Sequence, residues 1–337
     1  MACPLLFIGC EPPAAETRLN EYLTRLSRPL DQPAPALPAN PNLSPPRAAS
    51  LLVPVAGGTL DGVDFLRLRG CALQATIARR NSSLGRVAPP SQRLLLELAF
   101  LREAPECISK LRAEGRAALA DLLEQNYALK QTQLPVLIFN ATLGSDEFRD
   151  FWRSTEPLGY YPQDTSSLPV SALETLVADS LRWLQGDYSA DEKRFELALS
   201  AVAQGDGGEL LRALSLQQSA LSAANFVTAP ERERGGLCSA MLRPRSAQIL
   251  RNVVTKYFVR SVQPWSAQLN ARFHQLLPPI LRLESAVISA VPDEYREWQT
   301  RRDQSLEHSL AAPSRHVREI QELLGGCYPE FAAPPPA

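Results

Sequence analysis

The sequence predicts an all-α fold, a multi-helix bundle, on three observations. Every strong hydrophobic periodicity after residue 58 is helical, with apolar residues three and four apart. Serine capping boxes and first-turn prolines punctuate that pattern where helices should begin. Only one short run, Leu134–Phe139, reads as a strand. The 337 residues, 45% of them hydrophobic, suffice for a core without a metal. A net charge of -1 excludes a global basic field for gripping nucleic acid, and no apolar run reaches the ~18 residues of a membrane span.

Taken in order, the chain opens on Leu5-Leu6-Phe7-Ile8-Gly9-Cys10, which resembles the end of a bacterial lipoprotein signal. In such signals the cysteine after a small residue takes the lipid. Residues 1–9 are therefore expected to be a signal remnant and Cys10 the lipidated residue. Phe7 stands where leucine is usual, and no basic residue precedes the run, as a start assigned too late would leave it. Glu16–Arg28 is a short amphipathic helix with Leu19, Tyr22, Leu23 and Leu26 on one face. Seven prolines from Pro29 to Pro46 then forbid helix and central strand. Residues 10–58 are accordingly read as a lipidated helix and a stiff, extended tether. An equal alternative for the later half is a strap lying on the domain.

Residues 59–330 form the helical domain. Asp61–Asn81 carries Phe65, Leu66, Leu73 and Ile77, and Ser91–Glu103 follows behind a serine cap. Pro105 opens a helix running to about Gln131. Ser171-x-x-Glu174 and Ser189-x-x-Glu192 open two more, and Glu209–Asn225 continues the pattern. Ala247–Val262, Gln263–Leu277, Pro278–Ala290, Pro292–Leu310 and Pro313–Leu324 complete the bundle, the last three each opening on a proline. Residues 331–337 are a proline-rich tail expected to be disordered.

With Cys3 removed and Cys10 lipidated, four cysteines remain, an even number suited to an oxidising compartment. Two helices flank the turn at residues 86–91, and residues equidistant from such a turn lie opposite each other. The midpoint of 71 and 107 falls inside that turn, so Cys71 and Cys107 should pair. Cys238–Cys327 follows by elimination.

Cys71, the run Arg80-Asn81-Ser82-Ser83-Leu84-Gly85, a proline pair before Ser91, and Cys107 at the end of a leucine-rich helix form a distinctive set. Together they resemble a gammaproteobacterial lipoprotein family catalogued as domain of unknown function 3080. Leu134–Phe151, with Asn140-Ala141-Thr142 and Glu147-Phe148, fits that family more loosely. The likeness is specific over about residues 60–155. It implies a secreted, lipid-anchored envelope protein and supplies no catalytic residues. Read physically, the arginine-rich run ends a helix and turns, with Asn81 tolerating left-handed geometry and Gly85 supplying a positive φ. Ser82 and Ser83 can bond local backbone. Arg80, Asn81, Ser82, Ser83, Gly85 and Ser91 are thus either a structural corner or a binding corner.

The chain has only three histidines, His274, His308 and His316. His316 and Glu319 share a helix face, but in the reverse of the Glu-x-x-His order of di-iron bundles and without a second pair. His316 is therefore expected at a surface or helix end. No zinc spacing and no GxSxG, HExxH, Walker or GxGxxG motif occurs, so no metal and no cofactor is implied. Charge is patterned more informatively. Ser145–Glu192 holds ten acidic residues against three arginines, whereas Arg243–Arg282 holds seven basic residues and no acid. Either the two stretches face each other or line solvated helix faces, or Arg251, Lys256 and Arg260 form a cationic surface. Such a surface would take an anionic glycan, lipopolysaccharide or lipid headgroups. Nucleic acid is not an expected partner of an exported chain.

The resulting expectation is a periplasmic module anchored by lipid to the outer membrane. It would bind or assemble with an anionic glycan, lipopolysaccharide or an envelope protein. The alternative is a periplasmic hydrolase or glycan-modifying enzyme using an acid such as Glu147 or Asp150.

Overall fold

Leu19, Tyr22, Leu23 and Leu26 are buried, so the apolar stripe of the N-terminal helix is covered by the rest of the chain. The computed structural model describes residues 14–37, 43–55, 67–154, 157–163, 165–238, 242–328 and 331. The expected signal remnant, Cys10, and the tail other than Phe331 lie outside the described residues. Within them the regular structure is helical, with no strand. The order is α1 (Ala15–Ser27), α2 (Ala48–Leu51), α3 (Leu73–Asn81), α4 (Ser83–Arg86), α5 (Pro90–Ala113) and α6 (Ala117–Ala141). It continues with α7 (Asp146–Phe151), α8 (Leu168–Leu184), α9 (Glu192–Ala203) and α10 (Gly207–Glu233). Last come α11 (Arg245–Val253), a π-helical stretch Val254–Val262, α12 (Gln263–Ala286) and α13 (Asp293–Leu324).

α10 packs along α13, α5 along α6, and α8 against both α9 and α12. One large core runs from α1 to the last turn of α13. A smaller core fills the outer end of the α5–α6 hairpin, where Leu73 and Ile77 of α3 meet Phe100, Ile108, Leu111 and Leu123. Gly115 ends α5 in the left-handed region at φ 73°, which lets the chain reverse into α6. Both expected disulfides form. Cys71–Cys107 ties the start of α3 to α5, and Cys238–Cys327 ties the segment after α10 to the end of α13.

Several boundaries differ from the sequence expectation. Of the two alternatives for the later half of the proline-rich stretch, segment 43–55 takes that of a strap lying on the body, and α1 packs on the body as well. α1 packs on α10 and the π-helical stretch, Leu30 and Leu51 are buried, and Leu43, Val53 and Val55 rest on the large core. The leucines and valines between the prolines explain this, because burying them removes apolar surface that an extended tether would leave in water. Leu134–Phe139 is the buried last third of α6, not a strand, since a short apolar run reads alike in either state.

Prolines proved weaker punctuation than expected. Pro105, Pro278 and Pro313 lie inside α5, α12 and α13; of the predicted proline starts only Pro292 precedes a helix, as the N-cap of α13. The Ser309 carbonyl, four residues before Pro313, loses its helical donor and takes one from Gln217 Nε2 of α10 at 3.4 Å. The capping boxes shift as well. α8 starts at Leu168 with Pro169 in its first turn, which places Ser171 inside the helix. Asp191 caps α9, its carboxylate accepting from the Arg194 N–H at 3.0 Å, while Ser189 bonds Asp187. The helices expected over 247–277 join through the π-helical stretch, whose wide turn brings Phe258 against Tyr22 and His316 at 5.6 and 4.8 Å between ring centroids.

Candidate functional site

Two stretches that carried the sequence motifs, around Ser91 and around Asn140–Glu147, meet in one groove of about 270 Å³. Extended Pro89 and first-turn Pro90 start α5 abruptly, which leaves Ser91 on one wall. The opposite wall is the corner between α6 and α7. There Ser145 caps α7, its Oγ accepting from the Phe148 N–H at 3.3 Å, and Asp146 and Glu147 occupy the first turn. The third wall is the strap, through Ala48, Ala49 and Leu52. Asn140 holds that strap with both ends of its amide, each bonded to the backbone of Val53. Ser50 Oγ adds a hydrogen bond to Glu294 Oε1 at 3.0 Å.

The groove's lining combines Pro89, Pro90 and three alanines with the acids Asp146 and Glu147. Among the described residues no cation pairs with Asp146 or Glu147, whereas Asp150 pairs with Arg153 at 3.1 Å. Leu52, which lines the groove, is 52% exposed, and Leu84 and Val87 of the α4 turn, the latter two residues before Pro89 in the chain, are 79% and 78% exposed. Leu84 stood inside the sequence motif, but nothing in its spacing signalled that exposure.

The rest of the expected corner divides by role. Ser82 caps α4, its Oγ accepting from the Gly85 N–H at 3.0 Å and donating to the Arg79 carbonyl at 2.7 Å. Gly85 does not adopt a positive φ; a Cβ there would collide with the Arg79 and Arg80 carbonyl oxygens, so glycine is required by close approach. Asn81 ends α3 in ordinary helical geometry, and Ser83 begins α4; both are exposed. Arg80 turns inward to Glu97 at 2.6 Å, and Glu97 also pairs with buried Lys130. This trio lies between the two cores, with Lys130 over the Phe100 ring. Burial pushes the Lys130 amine down, and Glu97 acts against that push. Arg80 is thus a structural residue, and Ser91 is the member of the corner that reaches the groove.

The cationic candidates divide too. Arg251 lies over Tyr328, Lys256 shares the Tyr257 ring with Arg25, and Arg260 is exposed in the π-helical stretch. The acidic and basic stretches meet directly where Arg282 of α12 pairs with Glu174 of α8. His316 is fully buried rather than at a surface, and Glu319 pairs with Arg232 instead of sharing a site with it. The apolar neighbours Tyr22 and Phe258 cover the ring, and burial pushes its pKa down to about 3. None of the three histidines lines the groove.

A pair of neighbouring acids lies at the start of α10. Burial pushes the Glu209 carboxyl up, and the Asp206 charge adds to the shift. Asp206 is itself held by Tyr161 Oη at 2.8 Å and by Arg272 Nε at 2.9 Å, which makes it a structural anion. Among the described residues no group of three or more histidine, cysteine or acidic side chains is placed to hold a metal ion, and no helix is long and apolar enough to cross a membrane. The sequence model of a family described as protein of unknown function (DUF3080) matches residues 19–329. No curated protein and no solved structure matches the chain.

Proposed function

The chain belongs to the DUF3080 family, and from that premise we propose that it is an exported, lipid-anchored module that binds another envelope component through the groove beside Ser91. The observation that carries this reading is the convergence of both motif-bearing stretches on that groove. Two disulfides support export, because thiols in the cytosol are kept reduced. The anchor itself rests on the Gly9-Cys10 sequence. Exposed Leu84, Val87 and Leu52 favour a protein partner, and Asp146 and Glu147 in the groove's lining favour a neutral or basic segment over an anionic glycan.

A photocrosslinking residue at Val87 or Ser91, introduced in intact cells, tests the reading. The same discrete partner should be captured from both positions and not from Phe226, an exposed apolar residue of α10, a helix that supplies no residue to the groove. Equal capture from Phe226 would sink it. A Cys10→Ser form should lose its label from radioactive fatty acid and leave the membrane fraction. An enzyme would instead lose turnover of an envelope glycan on Glu147→Gln with partner capture intact.

A further inference from the structure

The groove beside Ser91 adjoins a second, smaller pocket of about 90 Å³. Leu52 and Pro90 line both, so they lie where the two meet. Charge is divided between the pockets by sign. Asp146 and Glu147 line the larger one and not the smaller, whereas Arg93 lines the smaller one and not the larger. Arg93 and Asp146 are exposed, and Glu147 is half-buried. Among the described residues no acid pairs with Arg93, just as no cation pairs with Asp146 or Glu147. The joined depression thus carries open charges of opposite sign in its two parts, with an exposed leucine at the junction.

The local structure fixes this division. Pro90 and Arg93 stand three residues apart in the first turns of α5, on one face of the helix. The acids stand in the first turn of α7, after a corner that needs glycine: a Cβ on Gly144 would fall 2.9 Å from the Phe139 ring. Ala48, Ala49, Ala141 and Gly144 give the larger pocket small side chains, which leave room for a partner's backbone. The Asn140 amide, in the smaller pocket, is already engaged with both backbone groups of Val53. A partner therefore cannot add as a strand at Val53, and recognition falls to side chains.

We propose that the joined pockets bind an extended peptide segment carrying both signs of charge, a basic side chain at Asp146 and Glu147 and an acidic one at Arg93. This names the partner chemistry of the groove and rests on the reading of the groove as a binding site. A polyanion is repelled by the two acids and a polycation by Arg93, whereas a segment of mixed sign satisfies both. A random decapeptide library displayed on phage, selected against the full disulfide-bonded protein, supplies the probe. Enriched peptides should hold a basic and an acidic residue at a fixed spacing. The best of them, synthesised with a fluorescent label, should lose at least tenfold in affinity with Arg93→Glu, with Asp146→Lys/Glu147→Lys, and with Ala49→Trp, which fills the groove. Arg93→Glu should regain binding when lysine replaces the peptide's acidic residue, which a misfolded variant would not do. Enriched peptides of one sign, no enrichment, or affinity unchanged by Arg93→Glu each overturn the proposal. Partner capture from Val87 and Ser91 that persists through both charge reversals overturns it while sparing the groove; loss of all capture in the unaltered protein sinks the groove as well.

Discussion

Asn140 and Val53 exchange a pair of hydrogen bonds: the Val53 N–H donates to Asn140 Oδ1 at 3.0 Å, and Asn140 Nδ2 donates to the Val53 carbonyl at 2.8 Å. A side-chain amide thereby does for one residue what a neighbouring strand would do, and it keeps the strap closed over the groove. Removing it leaves two backbone groups short of partners, so Asn140→Ala should cost about 1–3 kcal/mol. Amide exchange at Val53 should accelerate in that variant, with Asn140→Asp intermediate because it keeps only the acceptor. Unchanged exchange at Val53 would show that other contacts hold the strap.

His316 sets an acid sensitivity. Its Nε2 lies 2.6 Å from Tyr22 Oη, and its Nδ1 meets Asn225 Oδ1. Burial lowers its pKa from 6.5 to about 3, so between those values the unfolded chain takes up a proton that the folded protein refuses. This contribution to stability is full above pH 6.5 and is lost on acidification, by on the order of 1 kcal/mol per pH unit. Urea midpoints measured from pH 7 to pH 5 should fall more steeply in the native protein than in His316→Gln. Parallel slopes would remove the histidine from the account.

The Cys71–Cys107 bridge closes a loop with a sequence separation of 36, and it joins the smaller of the two cores. Loop entropy predicts a loss of about 4 kcal/mol in Cys71→Ser/Cys107→Ser. That loss should appear first as faster hydrogen exchange in α3, with α10 and α13 protected. Uniform acceleration across all helices would mean that the two cores unfold as one unit.

Arg302 lies wholly inside the protein, stacked between Trp152 and Trp298 at 5.2 and 5.1 Å. It grips both oxygens of Glu284 at 2.7 and 3.0 Å, and Tyr295 Oη and Gln299 Nε2 also donate to that carboxylate. Arg302→Met strands the buried Glu284 charge and should cost about 3–5 kcal/mol by chemical denaturation. Adding Glu284→Gln should recover part of the loss, since it removes the unpaired charge. No recovery would assign the cost to packing between the tryptophans.

The export reading and the motif residues came from short stretches of chain, but their arrangement did not. Ser91 and Glu147 carry no mutual signal in sequence, and they become neighbours of one groove only because α5 and α6 pair and the α6–α7 corner folds back beside the start of α5. Arg80 looked like a helix-end cation; its partner Glu97 lies on α5, and no local pattern pointed to it. His316 looked like a surface residue because its helix is otherwise rich in charge, while the side chains that enclose it come from α1, α10 and the π-helical stretch.

By itself the sequence determined the helical class, the α1 stripe and the Cys71–Cys107 pairing, because each depends on a period or a turn read within a few tens of residues. Only the tertiary structure decided where helices end, that the proline-rich segment lies on the body, and which side chains share a site. A proline need not stop a helix where another group satisfies the carbonyl it strands, and for Pro313 a distant glutamine takes that carbonyl. Burial and hydrogen bonding across the fold outweigh local preference wherever distant segments supply the missing partner.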